Sequence, residues 1–217
     1  MSRISRRRWT PLRGRSSQGS SSRTQLLDRA RHRGALRRLI AVAAERTSSV
    51  ALVAVDDTVL AQLVHAATTD ALADEVTPPL TAGRAWTSDR VAWLRDFHRV
   101  RRAGLPGPAG EGTWAVVVDE MVVGSVRLKH TDEPGVLEMG IWLTRGARGR
   151  GVGRAATAAA LRQAASLGAS GVRADTTAAN AGALAVLRRF GFHLTLSDGG
   201  QDVRALLLFD PEGDRCK

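Results

Sequence analysis

With 217 residues, the chain has room for one domain of common size and an appendage. Its formal net charge is +11, and this excess lies in residues 1–47, where 13 arginines face two carboxylates while the rest of the chain balances to zero. The single cysteine excludes an internal disulfide, no run approaches the roughly 18 apolar residues that span a bilayer, and no His/Cys/Asp cluster has metal-ligand spacing, so we expect a cytoplasmic protein without a metal or a membrane partner.

Residues 1–47 form a basic Arg/Ser-rich N-terminal extension, and the sequence predicts that it is partly disordered. Residues 1–24 have too little apolar content to fold alone, whereas 24–46 carry apolar residues at helical spacing. Such a segment suits contact with nucleic acid or a membrane surface, an organelle-type presequence, or a solvated extension without a catalytic role. We favour the solvated extension, and we place the folded domain at 48–217.

The first half of that domain shows one strand, two helices and a hairpin. Capping residues precede both apolar helical stripes, and both arms of the hairpin alternate β-branched residues with others. In chain order the predicted elements are a strand over 50–55, a helix capped by Asp56 or Asp57, a break at 77–79, a helix capped by Thr87 or Ser88, a loop over 104–112, and strands 113–118 and 121–129.

The second half alternates strands with helices. The predicted elements are a strand over 136–143, a Gly/Arg-rich turn, a helix over 152–167, a strand over 171–175, a helix over 180–190, and strands 192–197 and 203–209. Strands that alternate with helices around a central antiparallel hairpin indicate an α/β (α+β) fold with a mixed sheet.

The Gly/Arg turn over 148–154 (Arg-Gly-Arg-Gly-Val-Gly-Arg) lies between a strand and a long alanine-rich helix. Glycines let a backbone approach a phosphate closely, and a helix N-terminus adds converging N–H groups and partial positive charge. Guanidinium groups also match phosphate geometry. The spacing fits neither the dinucleotide fingerprint nor a P-loop. The turn therefore predicts a site for a pyrophosphate-bearing ligand of another kind.

Three segments together resemble the GNAT superfamily of N-acetyltransferases. Arg148-x-x-Gly151-x-Gly153 resembles its acetyl-CoA motif, and 180–192, which opens on Asn180 and ends in Gly-Phe, resembles its second signature. The strand segment 137–143 is similar to the fourth strand of the branch that contains ribosomal-protein-alanine N-acetyltransferases. The resemblance spans roughly 48–212. It implies a GNAT fold, with a mixed, mostly antiparallel central sheet flanked by helices.

The resemblance also implies acetyl-CoA as co-substrate and assigns residues to it. The strand backbone would bind the pantetheine arm, the loop amides would bind the pyrophosphate, and the Asn of the second signature would bond the pantetheine. The expected cofactor-binding residues are Ile141, Trp142, Leu143, Arg148, Gly149, Arg150, Gly151, Val152, Gly153, Arg154 and Asn180.

Glu138 is the expected general base, because many family members carry a catalytic Glu at this position of the strand. Its sequence neighbours are apolar, which indicates a desolvated carboxylate suited to that role. The family's usual acid, a Tyr, would stand at Leu187, and the chain contains no tyrosine. A two-residue acid–base mechanism is therefore not expected.

The implied reaction is transfer of an acetyl group to a primary amine by direct attack. The acceptor amine belongs either to a protein N-terminus or lysine or to a small molecule, and Trp86, Trp93 and Phe97 lie in the region that forms the family's acceptor-side wall. The alternative is a catalytically silent acyl-CoA-binding module with a nucleic-acid-binding basic tail. Nucleic acid is expected only through that tail, and the protein is expected to be a monomer or a homodimer.

Overall fold

The computed structural model describes residues 50–81 and 83–209. The N-terminal extension, including the helical pattern over 24–46, lies outside the described residues. The boundary predicted at residue 48 lies outside them as well, so it stays a prediction.

Every predicted strand and helix of the domain is present, in the predicted order. The elements are β1 (Val50–Ala54), α1 (Asp57–Asp70), α2 (Ala73–Val76), α3 (Ser88–Val100), β2 (Glu111–Val118), β3 (Met121–His130), β4 (Val136–Leu143), α4 (Val152–Ser166), β5 (Gly171–Thr177), α5 (Ala181–Arg189), β6 (His193–Leu196) and β7 (Asp202–Leu208). The short helix α2 and a 3₁₀ turn at Arg145–Ala147 were not predicted, since three or four residues are too few to show a helical period.

Local signals in the sequence explain where the first elements begin. The Asp56 side chain accepts a hydrogen bond from the Val59 N–H at 2.7 Å and caps α1. Thr87 caps α3 in the same way, through the N–H of Arg90. The β2–β3 turn places Asp119 and Glu120 at positive φ, the geometry that two-residue hairpins favour.

The seven strands form one sheet in the order β1-β2-β3-β4-β5-β7-β6. All neighbouring pairs are antiparallel except β4 and β5, which are parallel. This confirms the predicted mixed, mostly antiparallel sheet flanked by helices, and with it the α/β (α+β) class.

Each face of the sheet carries its own apolar core. Helices α4 and α5 pack on one face, and α1 and α3 pack on the other. We call the first the cofactor face, because α4 begins at the turn expected to bind the cofactor, and the second the acceptor face, because α3 carries aromatic residues expected on the acceptor side. Successive residues of β4 alternate between them, because side chains of a strand point to opposite faces. Leu137 and Met139 are buried in the cofactor-face core, whereas Trp142 packs in the acceptor-face core.

The parallel pair β4–β5 is joined along only three residue pairs. Val136, Leu137 and Glu138 pair with Gly171, Val172 and Arg173, and there the pairing stops. Beyond Glu138, β4 continues to Leu143 against β3, and β5 continues to Thr177 against β7. The two strands therefore diverge and open a wedge between them, which we call the splay.

Candidate functional site

The splay exposes backbone groups of β4. The Thr144 N–H donates to the Val123 carbonyl on the β3 side at 2.9 Å. Because hydrogen-bonded and non-hydrogen-bonded pairs alternate in an antiparallel ladder, Trp142 also bonds toward β3, through its partner Ser125. Ile141 and Leu143 consequently direct their backbone groups away from β3 and into the splay. There an extended ligand can pair as an added strand with the N–H and C=O of Ile141 and with the N–H of Leu143, whose carbonyl already accepts from Arg148.

The Gly/Arg turn brings a helix start to the same opening. Gly149 and Gly151 adopt left-handed backbone conformations, with φ of +71° and +83°, which side chains with a Cβ disfavour. The first helical bond of α4 runs from the Ala155 N–H to the Gly151 carbonyl, so the amides of 152–154 have no partner within the helix. Converging free N–H groups at a helix N-terminus form a site for an anion.

Gly153 lets that helix lie close to β4. A Cβ built on Gly153 would meet the Leu143 side chain at 3.6 Å, which is ordinary contact distance, so a larger group would push the helix away from the strand. The anion site and the end of the splay are therefore adjacent.

The Arg148 guanidinium is engaged by protein groups at the end of β4. It donates to the Leu143 carbonyl through Nε and Nη2, at 3.1 and 2.9 Å, and makes a two-point ion pair with Glu75 at 2.9 and 2.7 Å. We expected it at the phosphates together with Arg150 and Arg154. In this arrangement it fastens the turn to β4 and to α2, while Arg150 is exposed and Arg154 is half-buried at the helix start.

Two carboxylates that the sequence did not single out hold the turn from the acceptor side. The Gly146 N–H donates to Asp70 at 2.8 Å, and Glu75 receives Arg148. The hydrogen bond from Arg148 lowers the pKa of Glu75, although partial burial acts in the opposite direction. These residues lie more than 70 positions before their partners, so no local pattern announces the contact.

Asn180 lies at the start of α5, as predicted. Its Oδ1 accepts from the Ala183 N–H at 3.1 Å and caps the helix, which leaves the side-chain amino group as a donor. Leu187, at the position of the family tyrosine, is buried in the cofactor-face core. It has no hydroxyl to offer, so its contribution is packing.

Glu138 lies on the acceptor face at the last β4–β5 pair, where the splay begins. Arg127 of β3 donates through Nη2 to its Oε1, and Arg173 of β5 donates through Nη2 to its Oε2 at 2.8 Å. The carboxylate is therefore surrounded by charge rather than by the apolar side chains that its sequence neighbours suggested. Those neighbours, Leu137 and Met139, point to the other face.

Glu138 belongs to a row of charges across the acceptor face. Next to it, Glu111 of β2 accepts from Arg101 and lies 3.9 Å from Arg127 Nη1 and 3.6 Å from the Lys129 ammonium. Burial alone would raise the pKa of Glu111, but the hydrogen bond from Arg101 and the charges of Arg127 and Lys129 outweigh burial and lower it. Glu111 is thus a buried carboxylate that stays ionised at neutral pH.

Aromatic side chains of α3 flank this row. The rings of Trp93 and Phe97 stack with their centroids 4.8 Å apart, and the Arg101 guanidinium lies 3.8 Å above the Phe97 ring. All three are half-buried. Trp86 is tied elsewhere, since its indole N–H donates to the Ala71 carbonyl at 3.0 Å.

Arg90 holds the loop between α2 and α3, and no sequence pattern pointed to this residue. Arg90 is fully buried in α3 and bonds Asp74 at 2.7 Å, together with the Thr81 and Gly83 carbonyls. This side chain therefore fixes the loop that leads from α2, which carries Glu75, to α3, which carries Trp93 and Phe97.

Comparison with known families agrees with this geometry. The sequence model of the acetyltransferase (GNAT) domain family matches residues 50–193, about two thirds of the chain. The chain belongs to this family. The protein is accordingly an N-acetyltransferase by family. A comparison with curated proteins finds no match.

Solved structures share the fold at low sequence identity. RimL, a ribosomal L7/L12 alpha-N-protein acetyltransferase in complex with coenzyme A, superimposes with a TM-score of 0.59 at 16% identity, over 76% of this chain and 96% of its own. The ribosomal-protein-S18-alanine N-acetyltransferase from Escherichia coli gives 0.52 at 13% identity, over 78% and 99%. The microcin C7 self-immunity acetyltransferase MccE, in complex with acetyl-CoA and AMP, gives 0.56 at 12% identity, over 75% and 94%.

Among the described residues, no group of three or more His, Cys, Asp or Glu side chains could hold a metal ion. In the same ranges, none of the helices combines the length and the apolar character needed to cross a bilayer.

Proposed function

We propose that the protein transfers the acetyl group of acetyl-CoA to a primary amine by direct attack of the amine on the thioester. The observation that carries this proposal is the meeting of three features at one opening. Free backbone groups of β4, the N-terminal amides of α4 and the Glu138 carboxylate all border the splay. The first two suit the cofactor, and the third lies on the opposite face, where an acceptor can approach.

The cofactor assignment follows the fit of these groups. The amides of 149–154, with Arg150 and Arg154, would hold the pyrophosphate, and Arg148 would keep the turn in place. Backbone groups of Ile141 and Leu143, on either side of Trp142, would pair with the pantetheine arm, and the Asn180 amino group would donate to it. That solved structures of this fold contain CoA or acetyl-CoA supports the assignment.

The chemistry begins with an ammonium ion, since alkylamines have a pKa near 10. Glu138 takes one proton from the ammonium, and the nitrogen lone pair then forms a C–N bond to the thioester carbonyl carbon. A β4 amide at the splay would stabilise the negative charge on the carbonyl oxygen. The C–S bond breaks with its electron pair leaving on sulfur, which gives the N-protonated acetyl amide and a thiolate.

The thiolate requires one further proton, and the nitrogen supplies it. After attack the nitrogen still carries two hydrogens and a positive charge, so one of them passes to the sulfur directly or through water. Coenzyme A is a fair leaving group, with a thiol pKa of roughly 8.5 to 10 by analogy with cysteine. An acid at Leu187 is therefore not required, and the proton held by Glu138 returns to solvent.

The acceptor class is tested with a panel of amines. Purified protein and acetyl-CoA are incubated with a peptide that has a free N-terminal alanine, with an N-terminally blocked lysine peptide, and with small amines such as spermidine. Thiol release and the mass of the acetylated product are followed together, and CoA in place of acetyl-CoA is the control. Transfer to at least one amine is expected. Thiol release without an acetylated amine, or no release at all, would contradict the proposal.

A further inference from the structure

Arg127 lies between two carboxylates on the acceptor face. Its Nη2 donates to Glu138 Oε1, and its Nη1 is 3.9 Å from Glu111 Oε2. The side chain is 29% exposed, so solvent reaches part of it. Arg127 therefore has a second anionic partner within a small displacement of the first.

Glu111 is equipped to receive it. The carboxylate is only 7% exposed, and Arg101 and Lys129 hold it from two other directions. Because its pKa is lowered, it keeps its negative charge at neutral pH. A guanidinium that leaves Glu138 thus finds an ionised carboxylate that is already fixed in position.

Arg127 lies over a residue of β4 that has no side chain. Arg127 pairs in register with Gly140, two residues beyond Glu138 on β4 and past the last β4–β5 pair. A Cβ built on Gly140 would meet Arg127 Nε at 3.5 Å, so the arginine lies directly over the glycine. The side chain therefore lies over β4, the strand that borders the splay.

The second partner of Glu138 is placed differently. Arg173 lies on β5, and besides Glu138 it has Asp132 at 3.8 Å and Asp175 at 3.9 Å. Asp132 is 97% exposed, and Asp175 is also engaged by Arg204 at 3.3 Å. Within residues 50–81 and 83–209, Arg173 has no comparably buried carboxylate beside it other than Glu138, so Arg127 is the partner that can leave.

We propose that Arg127 is a displaceable counter-ion of Glu138, and that the acceptor enters as its ammonium ion, takes over the hydrogen bond to Glu138 Oε1, and sends Arg127 to Glu111. Arg127 is thereby a positioning residue. This inference rests on the proposed function, in which Glu138 meets the acceptor amine.

The exchange replaces one monovalent cation by another, so Glu138 keeps two cationic partners until the ammonium gives up its proton. Leaving a partly buried carboxylate without one of its partners is unfavourable, which makes a neutral acceptor a poor substitute for the ammonium. The site should accordingly favour cationic amines over alcohols of the same shape. The proton that Glu138 later takes comes from the ammonium that displaced Arg127.

The test compares two variants that act in opposite directions on the acceptor. Arg127→Gln removes the competing cation, so the KM for the fastest amine of the panel should fall by roughly fivefold, with acetyl-CoA saturating and at about pH 7. Glu111→Gln removes the receiving carboxylate, so that KM should rise by a similar factor. These factors correspond to the modest worth of a partly exposed ion pair. Arg127→Lys keeps a cation and should lie between the parent and Arg127→Gln.

Calorimetric affinity for CoA and thermal melting of each variant serve as controls for damage to the fold. Acetyl transfer with a KM that rises or stays unchanged in Arg127→Gln would overturn the exchange and leave the acetyltransferase assignment intact. The Arg127→Gln result alone decides this, even if Glu111→Gln fails to fold. If the parent protein transfers acetyl to none of the amines, the proposed function is contradicted, and so is the exchange that rests on it.

Discussion

Gly151 offers the sharpest test of the phosphate-binding turn, through the substitution Gly151→Asp. The residue has φ of +83° and precedes the first turn of α4. Aspartate would bring a Cβ and a carboxylate into a site made of N–H donors. The left-handed conformation costs a residue with a Cβ about 1–2 kcal/mol, which affects folding, whereas the carboxylate affects the ligand.

The expected loss of CoA affinity follows from the contacts that the carboxylate displaces. Two charge-assisted hydrogen bonds from loop amides to phosphate oxygens are worth about 1.5–3 kcal/mol each. Their combined loss raises the Kd of CoA by roughly a hundredfold or more, before any repulsion between like charges is counted. Isothermal titration calorimetry measures this directly.

Gly168 provides a matched control at the opposite end of the same helix. Its φ is +79°, its surroundings are open, and it is exposed. Gly168→Asp therefore introduces a similar backbone strain and the same charge without approaching the turn. The control should bind CoA as the parent does, with a comparable loss of thermal stability. If Gly151→Asp binds CoA within about threefold of Gly168→Asp, the turn is not the phosphate site.

Three further predictions concern the acceptor face, the turn and the buried histidine. Glu138→Gln should leave CoA affinity unchanged and slow turnover by about a hundredfold, which is the lower end of the rate enhancement that a general base provides. Turnover at the parent rate would place the base elsewhere. Arg148→Met should lower the free energy of unfolding by about 1–2 kcal/mol in denaturant titrations, because the partly buried Leu143 carbonyl loses both of its donors. Arg148→Lys should restore little of this, since one ammonium cannot serve both the carbonyl and Glu75, and unchanged stability of Arg148→Met would contradict the role of Arg148. Burial, with the Arg101 charge, lowers the pKa of His98 to about 4. As the pH falls below the unfolded-state pKa of 6.5, the unfolded chain therefore binds a proton at His98 that the native chain does not bind. Stability is therefore lost as pH falls, and between about pH 8 and pH 5 the parent should lose roughly 2 kcal/mol more than His98→Asn; equal losses would exclude His98 as the cause.

Most of the fold follows from local signals in the sequence. Asp56 and Thr87 stand where the helices begin, alternation marks the strands, and the Gly/Arg turn opens α4, so the order and type of the main elements were predicted correctly. The short helix α2 was not, because four residues do not show a period. The starts of helices can be predicted from sequence, since a capping side chain contacts an amide only two or three residues away.

The contacts that shape the site could not be predicted in the same way. Glu75 and Arg148 are separated by 73 positions, and Arg90 reaches carbonyls of a loop that has no regular structure. Both pairings depend on how α2 and α3 lie on the sheet. A charged residue in a sequence looks solvated until its partner is known, which is why the buried Arg90 gave no signal.

Glu138 shows how the neighbours of a residue along the chain can differ from its neighbours in the fold. Its apolar neighbours along the chain suggested a dry carboxylate, but in a strand the adjacent residues face the opposite side of the sheet. The surroundings of Glu138 are its cross-strand neighbours, Arg127 and Arg173, which are 11 and 35 positions away. The same alternation turns Leu137 and Met139 toward the cofactor-face core and Glu138 toward the acceptor face. Odd- and even-numbered residues of β4 would therefore face different substrates of the proposed reaction. A carboxylate held by two guanidinium groups must release one hydrogen bond before an amine can engage that oxygen, and this requirement links the base proposed at Glu138 to the mobility proposed for Arg127.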